Sequence, residues 1–110
     1  MQPKLRTNRE KIKELIKENK DINTISKIVN LKKMTVENYI VKILEEDNDI
    51  DIDLDYFGIT EDYEMEIKNA IKKVGTHKLR PIKDIINKNI TYLQIKICIL
   101  IIKIEGEEEE

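Results

Sequence analysis

Lys32, Lys33, Thr35, Asn38 and Lys42 stand close together in "LKKMTVENYIVK", Leu31 to Lys42. Their chemistry is that of gripping a nucleic acid. Ammonium groups neutralise phosphates and release the counterions condensed on a duplex. Hydroxyls and amides meet the hydrogen-bond donors and acceptors on base edges. On a helix, Thr35, Asn38 and Lys42 recur at spacings of three and four and share one face. The blander alternative for the same residues is a solvated face on an ordinary three-helix bundle.

Other residues that could do chemistry are weaker. Asp47, Asp49, Asp51, Asp53 and Asp55 alternate like the start of a calcium loop, but no central Gly and no terminal Glu follow in register. They read as a solvated acidic connector, able to steer DNA by repulsion or to lie on a basic face. His77 has no Ser, Cys or Asp partner in any catalytic motif, and it reads as a loop residue. One Cys and one His cannot make an internal disulfide or a structural zinc site, so Cys98 reads as a small core residue in a reducing compartment. No GxxxxGK[ST] motif occurs. The expectation is a non-enzymatic chain with no catalytic residue, no metal and no cofactor.

The elements that must hold the basic cluster are legible in the pattern. "TNRE", Thr7 to Glu10, is a capping box that starts a helix with Ile12, Leu15 and Ile16 inward, ending near Asn19 or Lys20. Asp21 or Asn23 caps a short second helix burying Ile22, Ile25, Ile28 and Val29, with Ser26 small enough for close approach. Asn30 suits a left-handed turn, Leu31 plugs it, and a third helix runs from about Lys33 to Glu45 with Val36, Tyr39, Ile40, Ile43 and Leu44 inward. A short helix, a tight turn and a second helix that presents its start are the parts of a helix-turn-helix.

Downstream, "DNDIDIDLDYFGIT" alternates Asp with Ile or Leu, as a half-buried strand or an extended connector would, with Phe57 and Ile59 tucked inward around Gly58. Thr60 caps a helix with Ile67, Ala70, Ile71 and Val74 on one stripe and Gly75 as its stop. Pro81 suits the first position of a two-turn helix carrying Ile82, Ile85 and Ile86. Thr91 and Gln94 form another capping box, and the segment from Tyr92 to about Ile104 is apolar nearly all round. Its β-branched run would allow a strand, while the capping box and its length favour a buried helix. Such a helix is either central to its unit or part of a docking or homodimer surface.

Charge divides the chain in the same way. Residues 1–44 carry eleven basic and five acidic side chains, residues 45–66 eleven acidic and none basic, and residues 67–104 nine basic and one acidic. The expected organisation is a helix-turn-helix unit over 1–46, an acidic connector or short wing over 47–60, a second helical unit over 61–104, and a disordered acidic tail over 105–110. The fold class is mainly α. Lys4, Arg6 and Arg9 could extend the first basic surface, and Lys68, Lys72, Lys73, Lys78, Arg80, Lys83 and Lys88 could make a second. The longest apolar run, "ICILII", is too short to span a membrane, and no signal-like segment opens the chain. The expected location is the cytoplasm, nucleoid-associated, or the nucleus in a eukaryote.

A family resemblance joins these parts. "DINTISKIVNLKKMTVENYIVKILEED", then "IDLDYFGIT", "AIKKVG", "LRPIKDII" and "ITYLQIKICILI" resemble, over about residues 7–104, the C-terminal helix-turn-helix domain of RecQ-family DNA helicases and related helicase-partner proteins. The ordered second part, "LRPIKDI" before "ITYLQIK", is the more specific. The family commonly carries Gly in the turn and His in the third helix. Asn30 and Tyr39 stand there in this chain, so no base contact carries over from that His position. The resemblance implies an accessory domain that binds duplex or forked DNA, with the helicase motor on the same or another chain. The alternative is an interaction or dimerisation module that docks on a helicase without touching DNA.

Overall fold

A computed structural model describes residues 7–47 and 50–108. Six helices follow one another: α1 (Asn8–Lys17), α2 (Ile22–Val29), α3 (Lys33–Glu46), α4 (Glu61–Val74), α5 (Leu79–Asp84) and α6 (Tyr92–Glu108). The chain divides into two compact units between Asp51 and Ile52. The fold is mainly α, and no strand occurs among the described residues. Lys4, Arg6, Asp49 and the final two glutamates lie outside them.

In the first unit, α1 begins where Thr7 Oγ1 accepts the Glu10 amide at 3.2 Å. It closes with Asn19 at φ 62°, where the Asn19 amide donates to Ile16 O at 2.9 Å and the Lys20 amide to Leu15 O at 3.1 Å. These two bonds make a Schellman motif, in which the left-handed residue returns two orphan carbonyls to partners. Asp21 then caps α2 by accepting the Thr24 amide at 2.7 Å. That bond holds the Asp21 carboxyl below its ordinary pKa, since it is made to the charged form.

The first core comprises Ile12, Ile16, Ile25, Val36, Ile40, Ile43 and Leu44. Burying each such side chain contributes about 1.5–3 kcal/mol. Leu15 and Tyr39 are half-buried at its margin. One expected core residue is elsewhere: Ile28 is 55% exposed. On α2 the inward line runs through Ile22, Ile25, Ser26 and Val29, and Ile28 falls to its far side.

The second unit opens with a turn; of the strand and the connector that the sequence allowed, no strand forms among the described residues. Asp53 Oδ1 accepts the Asp55 amide at 3.0 Å, a local bond that diverts the backbone from a ladder. Leu54 O accepts the amides of Phe57 at 3.1 Å and Ile59 at 2.9 Å, and Gly58 takes φ 70°. Phe57 and Ile59 are buried, as the pattern anticipated. Thr60 caps α4 through the Tyr63 amide at 3.1 Å. Glu61, Asp62 and Glu64 occupy the first turn of α4 and Lys72 and Lys73 its last, matching charge to the helix dipole at both ends.

Pro81 is the third residue of α5, not the first. The first-turn amides have no intrahelical partner in any case, so a missing N–H costs nothing there. The turn from α5 to α6 is fastened to α4, because the Asn87 amide donates to Glu66 Oε1 at 2.7 Å. The capping box at the start of α6 is complete: the Gln94 amide donates to Thr91 Oγ1 at 3.2 Å, and the Thr91 amide to Gln94 Oε1 at 2.9 Å. Gln94 Nε2 also donates to Phe57 O at 2.9 Å and to Gly58 O at 3.3 Å, holding the opening turn.

Leu93, Ile95, Ile97, Cys98 and Leu100 are all buried. At 100° per residue they point to several sides of α6, which is the arrangement of a central helix. The helix continues to Glu108, past the expected end at Ile104. Glutamate is a good helix former, so its run extends α6 where a disordered tail was expected to begin. No helix among the described residues is long and apolar enough to cross a membrane.

Candidate nucleic-acid interface

The junction between α2 and α3 is built from side chains that leave it little freedom. Asn30 lies at φ 57°, ψ 47°, the left-handed conformation that Asn tolerates best after Gly. Its amide donates to Ser26 O, and the Leu31 amide donates to the same carbonyl at 3.1 Å. The Ser26 hydroxyl reaches across the turn to donate to Leu31 O. Ser26 therefore does more than leave room for a neighbour, since its side chain and its carbonyl both hold the turn.

α3 starts at Lys33, and the N-cap residue Lys32 makes no side-chain capping bond. No acidic residue lies in the first turn of α3. Side-chain caps close α1, α2 and α4 through Thr7, Asp21 and Thr60. The amides opening α3 thus carry the positive end of the helix dipole beside two lysines, an electrostatic setting suited to phosphate.

Val36, Ile40, Ile43 and Leu44 fix the inner face of α3. Opposite them, Met34, Asn38 and Lys42 form an exposed line at i, i+4 and i+8. Lys32 and Lys33 are exposed at its start and Thr35 is half-buried at its edge. None of Lys32, Lys33 and Lys42 forms an ion pair with a described residue. The exposed Glu45 bounds the basic surface at the far end of α3. All five residues singled out from the sequence, Lys32, Lys33, Thr35, Asn38 and Lys42, thus lie on α3 or its N-cap.

A helix-turn-helix domain family profile matches residues 8–99, most of the chain. The chain belongs to this helix-turn-helix family. No curated protein and no solved structure is significantly similar to it.

Within the helix-turn-helix unit, one expected phosphate ligand is committed elsewhere. Arg9 Nη2 lies 3.2 Å from Asp47 Oδ1 and 3.3 Å from Glu46 Oε2. Lys13 Nζ lies 3.0 Å from Asp47 Oδ2. Asp47, assigned from sequence to the acidic connector, thereby clasps α1 to the end of α3. Its carboxyl is held below its ordinary pKa, first by the hydrogen bond from Lys13 and then by that from Arg9. The Arg9 guanidinium is pushed up, chiefly by the hydrogen bond to Asp47. Sequence spacing gives no signal for this clasp, because its partners are 34 or more positions apart and meet only once α1 and α3 pack.

In the second unit, Lys72, Lys73, Lys78, Arg80 and Lys88 are exposed. Lys68 stands 3.8 Å from Glu64, and Lys83 Nζ donates to Lys88 O at 2.9 Å. Those two lysines serve the fold of the unit first. His77 is exposed in the segment between α4 and α5. Cys98 is buried, and desolvation pushes its thiol pKa up to about 11, which keeps it protonated and a poor nucleophile at neutral pH.

The sequence pattern also leaves Met34 on the exposed side of α3, although its apolar side chain set it apart from the polar residues singled out there. It is 72% exposed on the outward line with Asn38. The signal that could have joined it to them is its four-residue spacing from Asn38 and eight from Lys42.

Proposed function

We propose that the chain is a non-catalytic DNA-binding domain that sets the start of α3 into the major groove of a duplex and serves as an accessory to a RecQ-like helicase. The observation that carries the DNA part of this reading is the opening of α3: uncapped first-turn amides, two exposed lysines and no acidic residue in the first turn. An α-helix fits the major groove, and helix-turn-helix domains contact base edges through the start of their second helix. Lys32, Lys33 and Lys42 take phosphates, while Asn38 and Thr35 face base edges. Support for the helicase part is the second unit, where "LRPIKDI" and "ITYLQIK" resemble the helicase-associated domains and form α5 and the capped start of α6.

The test is a fluorescence anisotropy titration of duplex, forked and single-stranded DNA at several salt concentrations, with the wild-type chain and a Lys32→Ala, Lys33→Ala, Lys42→Ala variant. Three lost phosphate contacts reduce the slope of log K against log salt by about 2.7 on duplex DNA. Equal affinities and equal slopes for the two proteins would remove this surface from consideration. For the helicase part, adding the chain to a RecQ-like motor in trans is expected to raise its unwinding of a forked duplex, and the triple variant is expected not to. An unchanged unwinding rate with the wild-type chain counts against that part alone.

A further inference from the structure

Met34 is an exposed apolar side chain beside two exposed lysines at the opening of α3, with the half-buried Glu37 one turn on. It is 72% exposed, more than Ile28 or any of the other exposed large apolar residues described. The residues beside it in sequence are Lys32, Lys33 and Thr35, and it belongs to the first turn of α3, which has no side-chain cap. A docking site for an apolar peptide would not ordinarily surround its apolar contact with two ammonium groups and free amides. An anionic polymer with an apolar group within reach satisfies both requirements. On duplex DNA, the apolar group presented in the major groove is the 5-methyl of thymine.

We infer that Met34 is a specificity-determining residue that packs its thioether side chain against thymine methyl groups and gives the chain a preference for A·T pairs. This inference rests on the DNA-binding reading of α3. Met34 and Asn38 are one helical turn apart, about 6 Å along the axis, and their side chains lie on one line. The Asn38 amide can pair with the donor and acceptor of an adenine edge, so the two residues select compatible base pairs from neighbouring steps. An unbranched methionine has three rotatable bonds, enough to follow a methyl group among successive steps of an A·T-rich tract.

The experiment compares an A·T-rich duplex with the same duplex in which every thymine is replaced by uracil, which removes the methyl and leaves the hydrogen-bonding edge. Anisotropy titrations are run with the wild-type chain, Met34→Ala and Met34→Leu. The wild type is expected to bind the thymine duplex more tightly, by about fourfold for each methyl fully covered. Met34→Ala is expected to bind the two duplexes equally, and Met34→Leu to keep most of the preference. Because Met34 lies outside the core, circular dichroism of both variants is expected to match the wild type. A thymine-to-uracil ratio that is the same in wild type and Met34→Ala overturns the assignment while leaving DNA binding by α3 in place. If the wild type binds neither duplex, the DNA-binding reading and this inference fall together.

Discussion

Asn30 holds the turn that aims α3, and its conformation sets a measurable energetic order. At φ 57°, ψ 47° an ordinary L-residue brings its Cβ against the following carbonyl, at a cost of roughly 1–2 kcal/mol. Asn offsets part of that cost through its short polar side chain, and Gly avoids it. Asn30→Ala is therefore expected to destabilise the first unit by about 1 kcal/mol. Asn30→Gly removes the steric term but enlarges the entropy of the unfolded chain by a comparable amount, about 0.4–1 kcal/mol. It is expected to lie at or slightly above the wild type. The assay is urea unfolding followed through the amide NMR resonances of α3, so that the first unit is read by itself. With a slope of about 1 kcal/mol/M for a small unit, Asn30→Ala moves the midpoint down by about 1 M. Asn19, at φ 62° in the preceding turn, supplies an independent replicate. Equal midpoints for Asn30→Ala and wild type, or for Asn30→Ala and Asn30→Gly, would refute the steric argument.

The clasp around Asp47 gives a pH dependence. Its folded pKa is depressed, so the stability it contributes is fully present above the ordinary carboxylate range and is lost as pH falls through the folded value. Asp47→Asn is expected to lower the stability of the first unit at neutral pH and to flatten its acid unfolding curve, as read by circular dichroism against pH. Gln94→Ala removes one half of a capping box and the donor to two backbone carbonyls, for an expected loss of about 1–2 kcal/mol in the second unit, read by thermal unfolding. The Cys98 thiol, with its pKa near 11, is expected to resist iodoacetamide at mildly alkaline pH and to react in urea. Rapid labelling of the folded chain would place it outside the core.

What the sequence made legible follows from the range of the forces involved. Helix starts at Thr7, Asp21, Thr60 and Thr91 rest on bonds three residues long, and each appears where the pattern allowed it, Asp21 being one of the two caps open to α2. The inner face of α3 is equally local, because four buried aliphatics at helical spacing admit one orientation. Ile28 shows where local pattern stops: it has the right spacing for an amphipathic stripe, but its neighbours place the inward line to one side. The alternating acids before Phe57 look like a strand only while strand partners are assumed. With none among the described residues, Asp53 bonds its own backbone and makes a turn. That Lys32, Lys33, Thr35, Asn38 and Lys42 fall on α3 or its N-cap could be read from spacing. The commitment of Arg9 to Asp47 could not, because it depends on which ends of α1 and α3 meet.

Gln94 occupies a position that few side chains could fill. It must accept from the Thr91 amide and donate to the carbonyls of Phe57 and Gly58 through one planar group. A carboxylate can accept but would set its charge against two carbonyl oxygens, and an ammonium can donate but cannot accept. Shortening to Asn would withdraw the reach on both sides. A primary amide on a two-carbon stem meets both demands, and through it the opening turn and the first turn of α6 share one hinge-free joint. Local opening of the second unit should therefore release both ends of that joint together, so the Thr91 and Phe57 regions belong to one cooperative unit of the fold.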